Sequence, residues 1–506
     1  AGSVVWASRG FTLDGVDGRP PVHWIWLARS DLTPAAHTKT SPFTSPPTHF
    51  PHHLSLVGEA RQPIANETST PHPHTLTFPH SARSSNPVMP ILHSAFGYLT
   101  LLAIAWLAGR RTRTIPWKTL GVATLLQLVL TGLLLQPAVR APIFALVGRL
   151  TDLLKITALK ANQSLLFGGI SSEAFAREHG PVIALEIAAI LIFVAALSRI
   201  LYHYRILPWF IARLSRVMQK LMGISSAESV GVAANIFLGM TEAPLLIRPY
   251  VARLTESELF CLMTGGMATI AGTVMVIYAT ILGPVHPDIA GHLFVASLIS
   301  APAAIAVSKL MLPETAEAET DQEQVELPRE DTLNGLDAAA RGAAEGMHLV
   351  LNVLAMLIAF IGLVALANWG IGRLDALVND APRGWSLEAF AGVLFHPFVW
   401  LMGIPWAEAG LVGELMGLKT ILNEFVAYLA LSQHVGEASA LSQRSFVIAA
   451  YALCGFANFG SVAIMIGGIG GIAPERRGDL ARLGLRSLIG GTLATMLTGA
   501  VIGIYL

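Results

Sequence analysis

Apolar positions run in long uncharged blocks along this chain. Blocks of about 20 residues, the length that crosses a bilayer as a helix, occupy 90–109, 119–139, 259–287, 289–308, 349–371, 446–474 and 487–506. An eighth, 180–198, carries a single charge, Glu186, which snorkels toward the interface. Two further apolar stretches, 229–247 and 409–430, are interrupted in mid-segment by charges or by Gly and Pro, and read as re-entrant hairpins. Between 140 and 158, Ile143, Leu146, Val147, Leu150, Leu153 and Leu154 alternate with Arg140, Arg149, Asp152 and Lys155, the pattern of a helix lying flat at the membrane surface. The expectation is an all-α polytopic membrane protein with eight transmembrane helices and two re-entrant hairpins.

Composition agrees. Charged residues are 13% of the 506, against roughly 25% in soluble domains, and 53% are hydrophobic. The 33 basic and 33 acidic residues leave no field for a nucleic acid. Cys261 and Cys454 both lie in apolar runs, which excludes a disulfide framework and a cysteine metal site. No Walker A loop appears, which argues against ATP-driven pumping.

Residues 1–88 differ from the rest. They hold 12 of the 29 prolines and 8 of the 16 histidines, and the first methionine is Met89. They read as a disordered, non-native upstream extension, with a His-rich metal-binding tail as the alternative. Residues 89–178 form scaffold helices and the interfacial helix, 179–311 a first repeat, 312–344 an acidic cytoplasmic linker, and 345–506 a second repeat. Basic residues place three loops in the cytoplasm: Arg110 to Lys118, Arg199 to Lys220, and Arg476 to Arg486. With eight spans this puts both Met89 and Leu506 outside.

The two repeats announce themselves. Leu221-Met222-Gly223-Ile224 precedes Ala227-Glu228, and Leu401-Met402-Gly403-Ile404 precedes Ala407-Glu408, 180 residues on. Glu242 follows the first unit and Glu424 the second, each in mid-hairpin. Three spans lie between, so the second copy is inverted, the plan of a secondary transporter. A charge at mid-membrane costs about 2.5–3.5 kcal/mol on insertion scales, which marks both glutamates as functional. Arg248 and Lys419 are their local candidate partners. If those bases point elsewhere, the acids are free for sugar hydroxyls, a proton or a cation. Gly239 permits positive φ at the hairpin tip, and Pro244 suits the first turn of the returning arm. Gly265-Gly266 and Ala271-Gly272 loosen the next helix, where Asn235 and Thr269 supply neutral oxygens of the kind Na⁺ takes. Close packing through small residues is the competing explanation. Phe456, Asn458 and Ser461 join an aromatic face to an amide and a hydroxyl, a set suited to a base carrying a polyol. Histidines 286, 292, 348 and 396 form no cluster and receive no role.

Gly239-Met240-Thr241-Glu242-Ala243-Pro244-Leu245-Leu246-Ile247-Arg248-Pro249-Tyr250 resembles the first-hairpin signature of the concentrative nucleoside transporter family. Gly417-x-Lys419-x-x-x-Asn423-Glu424-Phe425-Val426-Ala427-Tyr428 resembles its second, and Gly266-Met267-Ala268-Thr269-Ile270-Ala271-Gly272 and Gly455-Phe456-Ala457-Asn458-Phe459 also fit. The resemblance covers about Met89 to Leu506. It implies a homotrimer in which a mobile transport domain moves against a trimeric scaffold, carrying nucleosides by cation symport. The arginine-rich loops, without a eukaryotic targeting signal, suggest a bacterial inner membrane. Carried over position by position, Glu242, Glu424, Asn458 and Ser461 would meet the ribose. Met240, Thr241, Val274 and Phe456 would meet the base, and Asn235, Leu238, Thr269 and Ile270 a sodium ion. Many members carry glutamine where this chain has Met240. Methionine cannot replace glutamine's paired donor and acceptor, which implies broader or altered base selectivity. Na⁺ and H⁺ both stand as coupling ions. The other readings are a symporter of another small polar solute, such as a nucleobase or sugar, and a passive nucleoside channel. No His-Glu-x-x-His pair or serine–histidine pairing supports an enzyme.

Overall fold

The computed structural model describes residues 88–109, 115–161, 168–171, 175, 178–179, 182–320, 325–328, 331–379, 384–434 and 441–506. The upstream extension through Pro87 and most of the first basic turn lie outside the described residues. All regular structure among the described residues is helical. In chain order the helices are α1 Val88–Ala108, α2 Trp117–Leu135, α3 Pro137–Ala161, α4 Ile183–His203, α5 Ile206–Met222 and α6 Ser226–Asn235. There follow α7 Ala243–Leu246, α8 Arg248–Val251, α9 Glu256–Ala268, α10 Gly272–Leu282, α11 Ile289–Met311 and α12 Gly335–Val378. The last six are α13 Leu387–Leu401, α14 Trp406–Ile421, α15 Glu424–Gln433, α16 Gln443–Leu453, α17 Phe459–Ile472 and α18 Arg477–Tyr505.

Among the described residues, seven stretches are long and apolar enough to cross a membrane. The run 446–474, expected as one span, is split into α16 and α17 around Cys454–Asn458. The run 259–287 is likewise split into α9 and α10 around Thr269–Ala271. The amphipathic α5 and the 15-residue α13, with Pro397 inside it, were not expected from the apolar runs. Helix α12 begins at Gly335, inside the stretch expected as linker. Earlier parts of that stretch are pinned to the body: the Thr320 carbonyl accepts from Ser226 N–H at 3.3 Å, and Tyr202 donates to the Pro328 carbonyl at 3.1 Å.

The repeated Leu-Met-Gly-Ile motif has a local cause. Gly223 and Gly403 both adopt left-handed backbone, φ 66° and 95°, and stop α5 and α13. A side chain is strained there, so glycine is required. The repeated acids then anchor each hairpin. Glu228 is buried and pairs with Lys309 Nζ at 2.8 Å; Glu408 accepts from Ser442 N–H and Oγ at 3.1 and 2.9 Å.

Helices α11 and α18 form the centre, 89% buried over their most apolar stretches, with α9–α10 at 78%. Helices α4 and α12 lie at the margin, 22% and 11% buried. These two cross closely over Gly342-x-x-x-Gly346: an added β-carbon would stand 2.7 Å from the Ala195 carbonyl oxygen and 2.7 Å from Ile192 Cα respectively. Small residues allow such approach between membrane helices. Arg199 of α4 and Glu345 of α12 clasp the crossing by a two-point ion pair, Nε to Oε2 at 2.6 Å.

Candidate functional site

The first hairpin turns through Ile236–Glu242, between α6 and the short α7, which has Pro244 in its first turn as expected. Gly239 keeps negative φ, so its conformational freedom is not used. Its N–H donates to Glu242 Oε2 at 3.3 Å. Met240 packs on Gly266 of α9, and Thr241 on Gly468 of α17. Arg248 is exposed. Glu242 faces a cavity of about 640 Å³. Leu238, Thr241 and Thr273 share its lining with the Arg199–Glu345 pair, His348 and Asn352. Glu424 is not on that lining.

The second acid stands differently. Glu424 opens α15, where the helix N-terminus favours a carboxylate. It is 6% exposed, and both oxygens are taken: Tyr278 donates to Oε1 at 2.6 Å and Asn458 Nδ2 to Oε2 at 3.2 Å. Asn458 also caps α17, accepting from Ser461 N–H at 2.7 Å. The second break thus holds Asn458 in one orientation and aims its amide at the second hairpin. Lys419, the other candidate partner, points elsewhere and donates to the Ala452 carbonyl at 2.9 Å and Thr495 Oγ1 at 3.0 Å.

The residues expected around sodium gather at the first break. Asn235 ends α6 and is 1% exposed, yet neither its amide nitrogen nor its amide oxygen meets a hydrogen-bond partner. A group left in that state costs about 1–3 kcal/mol. Thr269 and Ile270 are buried in the break itself. Gly272 N–H donates to the Phe237 carbonyl at 3.0 Å, tying the break to the hairpin turn that contains Leu238. The two breaks also touch: a β-carbon on Gly455 would stand 2.9 Å from the Met267 and Ala268 carbonyl oxygens. Val274 lies in the first turn of α10 and Phe456 in the second break, both half-buried.

The sequence reading missed Tyr278, His348, Asn352, Thr273 and the Arg199–Glu345 pair. Tyr278 had a signal, since a tyrosine in an otherwise apolar run needs a partner for its hydroxyl. The pair joins residues 146 apart and carried none. The histidine reading needs correction at two points. His286 and His292 do associate, ring centroids 5.4 Å apart, with His292 Nδ1 3.1 Å from the Tyr451 hydroxyl. His348 lines the Glu242 cavity.

Known proteins resemble this chain over most of its length. Residues 96–169 and 292–503 match the models of the Na⁺ dependent nucleoside transporter N-terminus and C-terminus, and 184–285 match a nucleoside recognition model. The chain is 35% identical to the nucleoside permease NupC of Helicobacter pylori, over 82% of this chain and 98% of that one. It is 36% identical to sodium/nucleoside cotransporter 1 of Rattus norvegicus, over 82% of this chain and 63% of that one. Among solved structures it resembles CNTnw in an inward-facing substrate-bound state, with TM-score 0.75, 36% identity, and 82% and 99% of the two chains covered. A CNTnw variant in an outward-facing state matches with TM-score 0.76 and 35% identity, covering 82% and 98%. The chain therefore belongs to the concentrative nucleoside transporter family, multi-pass membrane proteins that carry nucleosides and are not enzymes.

Proposed function

We propose that the chain is a sodium–nucleoside symporter that works by alternating access, as a homotrimer with a mobile transport domain. The observation that carries the sodium assignment is the buried, unpartnered amide of Asn235 beside the broken α9–α10. A dehydrated sodium ion takes oxygen ligands, and the reading gives it Asn235 Oδ1, the Thr269 hydroxyl and the carbonyls of Leu238 and Ile270. The family model named for Na⁺ dependence supports the same ion. Matches to both an inward-facing and an outward-facing relative support alternating access.

In this reading the nucleoside binds between the two hairpins. The ribose meets Glu242, Glu424, Asn458 and Ser461, the base meets Met240, Thr241, Val274 and Phe456, and Gly239 lies in the substrate site at the hairpin turn. Sodium ties the hairpin turn to the break and so sets the shape of the nucleoside site, which couples the two gradients. The test is uptake of labelled uridine and adenosine into proteoliposomes under separately imposed Na⁺ and H⁺ gradients. Accumulation above equilibrium under the sodium gradient is expected. Accumulation under a proton gradient alone would move the coupling to a glutamate, and equilibration without accumulation would make the protein a channel.

A further inference from the structure

Lys419 is 0% exposed and, among the described residues, has no carboxylate in ion-pair contact. An ammonium in such a place is costly unless its surroundings replace water and counter-ion. Its two acceptors do so in an ordered way. Thr495 donates its own hydroxyl hydrogen to the Thr492 carbonyl at 3.0 Å, so its oxygen presents lone pairs to Lys419. The Ala452 carbonyl belongs to the last turn of α16, where helix carbonyls carry partial negative charge.

The ends of α9 and α16 differ at this point. A helix leaves its last four carbonyls without intrahelical donors. In α16 all four are met. Ala450 accepts from the Tyr428 hydroxyl at 2.8 Å, Tyr451 from Cys454 N–H at 3.1 Å, Ala452 from Lys419 at 2.9 Å and Leu453 from Gly455 N–H at 2.9 Å. In α9 only the Gly265 carbonyl is met, by Thr269 N–H at 3.2 Å and Thr269 Oγ1 at 2.8 Å. Among the described residues no N–H or O–H closes on the Gly266, Met267 or Ala268 carbonyls. Asn235 stands beside that end, its Nδ2 3.5 Å from a β-carbon placed on Gly265. Asn235 ends the first arm of the first hairpin, and Lys419 lies in the last turn of the first arm of the second.

We propose that the Lys419 ammonium is a covalently tethered counterpart of the coupling cation. It fills in the second repeat the place, at the carboxyl end of the first half-helix, that a dissociable ion takes in the first. The inference rests on the sodium reading above. Its consequence is one dissociable cation per protomer. Lys419 acts as a positioning residue: it fixes the α16 end, hence the break and Asn458, hence Glu424. The first repeat acquires the same rigidity only when its ion binds.

The test uses the full chain in detergent. Thermal unfolding of the parent, Lys419→Ala and Lys419→Met is followed in choline chloride, with sodium or methylammonium added. Lys419→Ala is expected to unfold at lower temperature and to recover saturably with methylammonium. Lys419→Met, which fills the space without charge, is expected to be destabilised and not rescued. A Lys419→Met protein matching the parent in unfolding temperature and uptake would overturn the proposal, as would a folded Lys419→Ala that methylammonium does not stabilise. Where Lys419→Ala does not fold, Lys419→Arg decides: function kept in Arg and lost in Met upholds the proposal, and equal behaviour of the two overturns it. The first-repeat ion is read separately, from sodium stabilisation of the parent and its loss in Asn235→Ala. A parent that ignores sodium defeats the coupling reading whatever Lys419→Ala does.

Discussion

The two hairpins carry the same acid in opposite conditions. Glu424 is buried, sits on a helix N-terminus, and has both oxygens engaged by Tyr278 and Asn458. Glu242 faces a cavity and is held by one long backbone bond from Gly239. The arms behind them differ as well. The second hairpin returns in a single ten-residue helix, whereas the first returns through two four-residue turns, each with a proline at its start. The polar groups of the second hairpin are satisfied within the protein, and in the proposed function the first is the one that sodium and nucleoside complete. Binding energy can then be spent on ordering the first hairpin, which makes occupancy readable as a conformational change.

The sharpest way to break this comparison is at Glu424. Glu424→Ala strands the Tyr278 hydroxyl and one Asn458 N–H, each at about 1–3 kcal/mol. Both uptake and unfolding temperature are expected to fall, and an unfolding temperature equal to the parent's would show that the second hairpin is not prebuilt. Next comes Glu242→Gln. Its uptake is expected to drop roughly tenfold or more through KM, as the proposed charge-assisted contact with the ribose requires, while unfolding without ligand stays unchanged. Asn235→Ala follows. It removes two unpartnered buried polar atoms, so in sodium-free solution the variant is expected to be no less stable than the parent. It should lose the sodium-dependent gain, which for the parent at a hundred times Kd amounts to about 2.7 kcal/mol. Calorimetry across a sodium titration reads both. The smallest effect is expected at Met240→Gln, which restores a donor and an acceptor toward the base. The uridine-to-adenosine uptake ratio should move, and an unchanged ratio would remove Met240 from base selection.

Much of this was legible because the informative residues are local. The motif that repeats around Gly223 and Gly403 was visible, though not its left-handed stops, positive φ being expected at Gly239 instead. Pro244 marks a first turn, and the runs around Thr269 and Asn458 hold the residues at which the helices break. The breaks themselves were only half visible. An uncharged run of 29 residues reads as one span whether or not its middle is helical, and splitting 446–474 needed the polar cap formed by Asn458. The walls of the Glu242 cavity were not legible. Arg199 and Glu345 meet because α4 and α12 cross at Gly342 and Gly346, and no periodicity in either helix states its partner. His286 and His292 come together because the turn between α10 and α11 folds back, which spacing along the chain does not reveal. Lys419 was visible as a base near an acid, and sequence distance left its acceptor open; the structure gives it the Ala452 carbonyl and Thr495 Oγ1.

The measurement that bears most directly on the contrast between the hairpins is hydrogen–deuterium exchange of the full chain in lipid nanodiscs. Amides of 236–251 and 422–433 are compared without ligand, with sodium, and with sodium and uridine. The account predicts slow exchange in 422–433 throughout, and protection of 236–251 that appears with sodium and deepens with uridine. Equal exchange in the two hairpins without ligand, or protection gained equally in both, would contradict it.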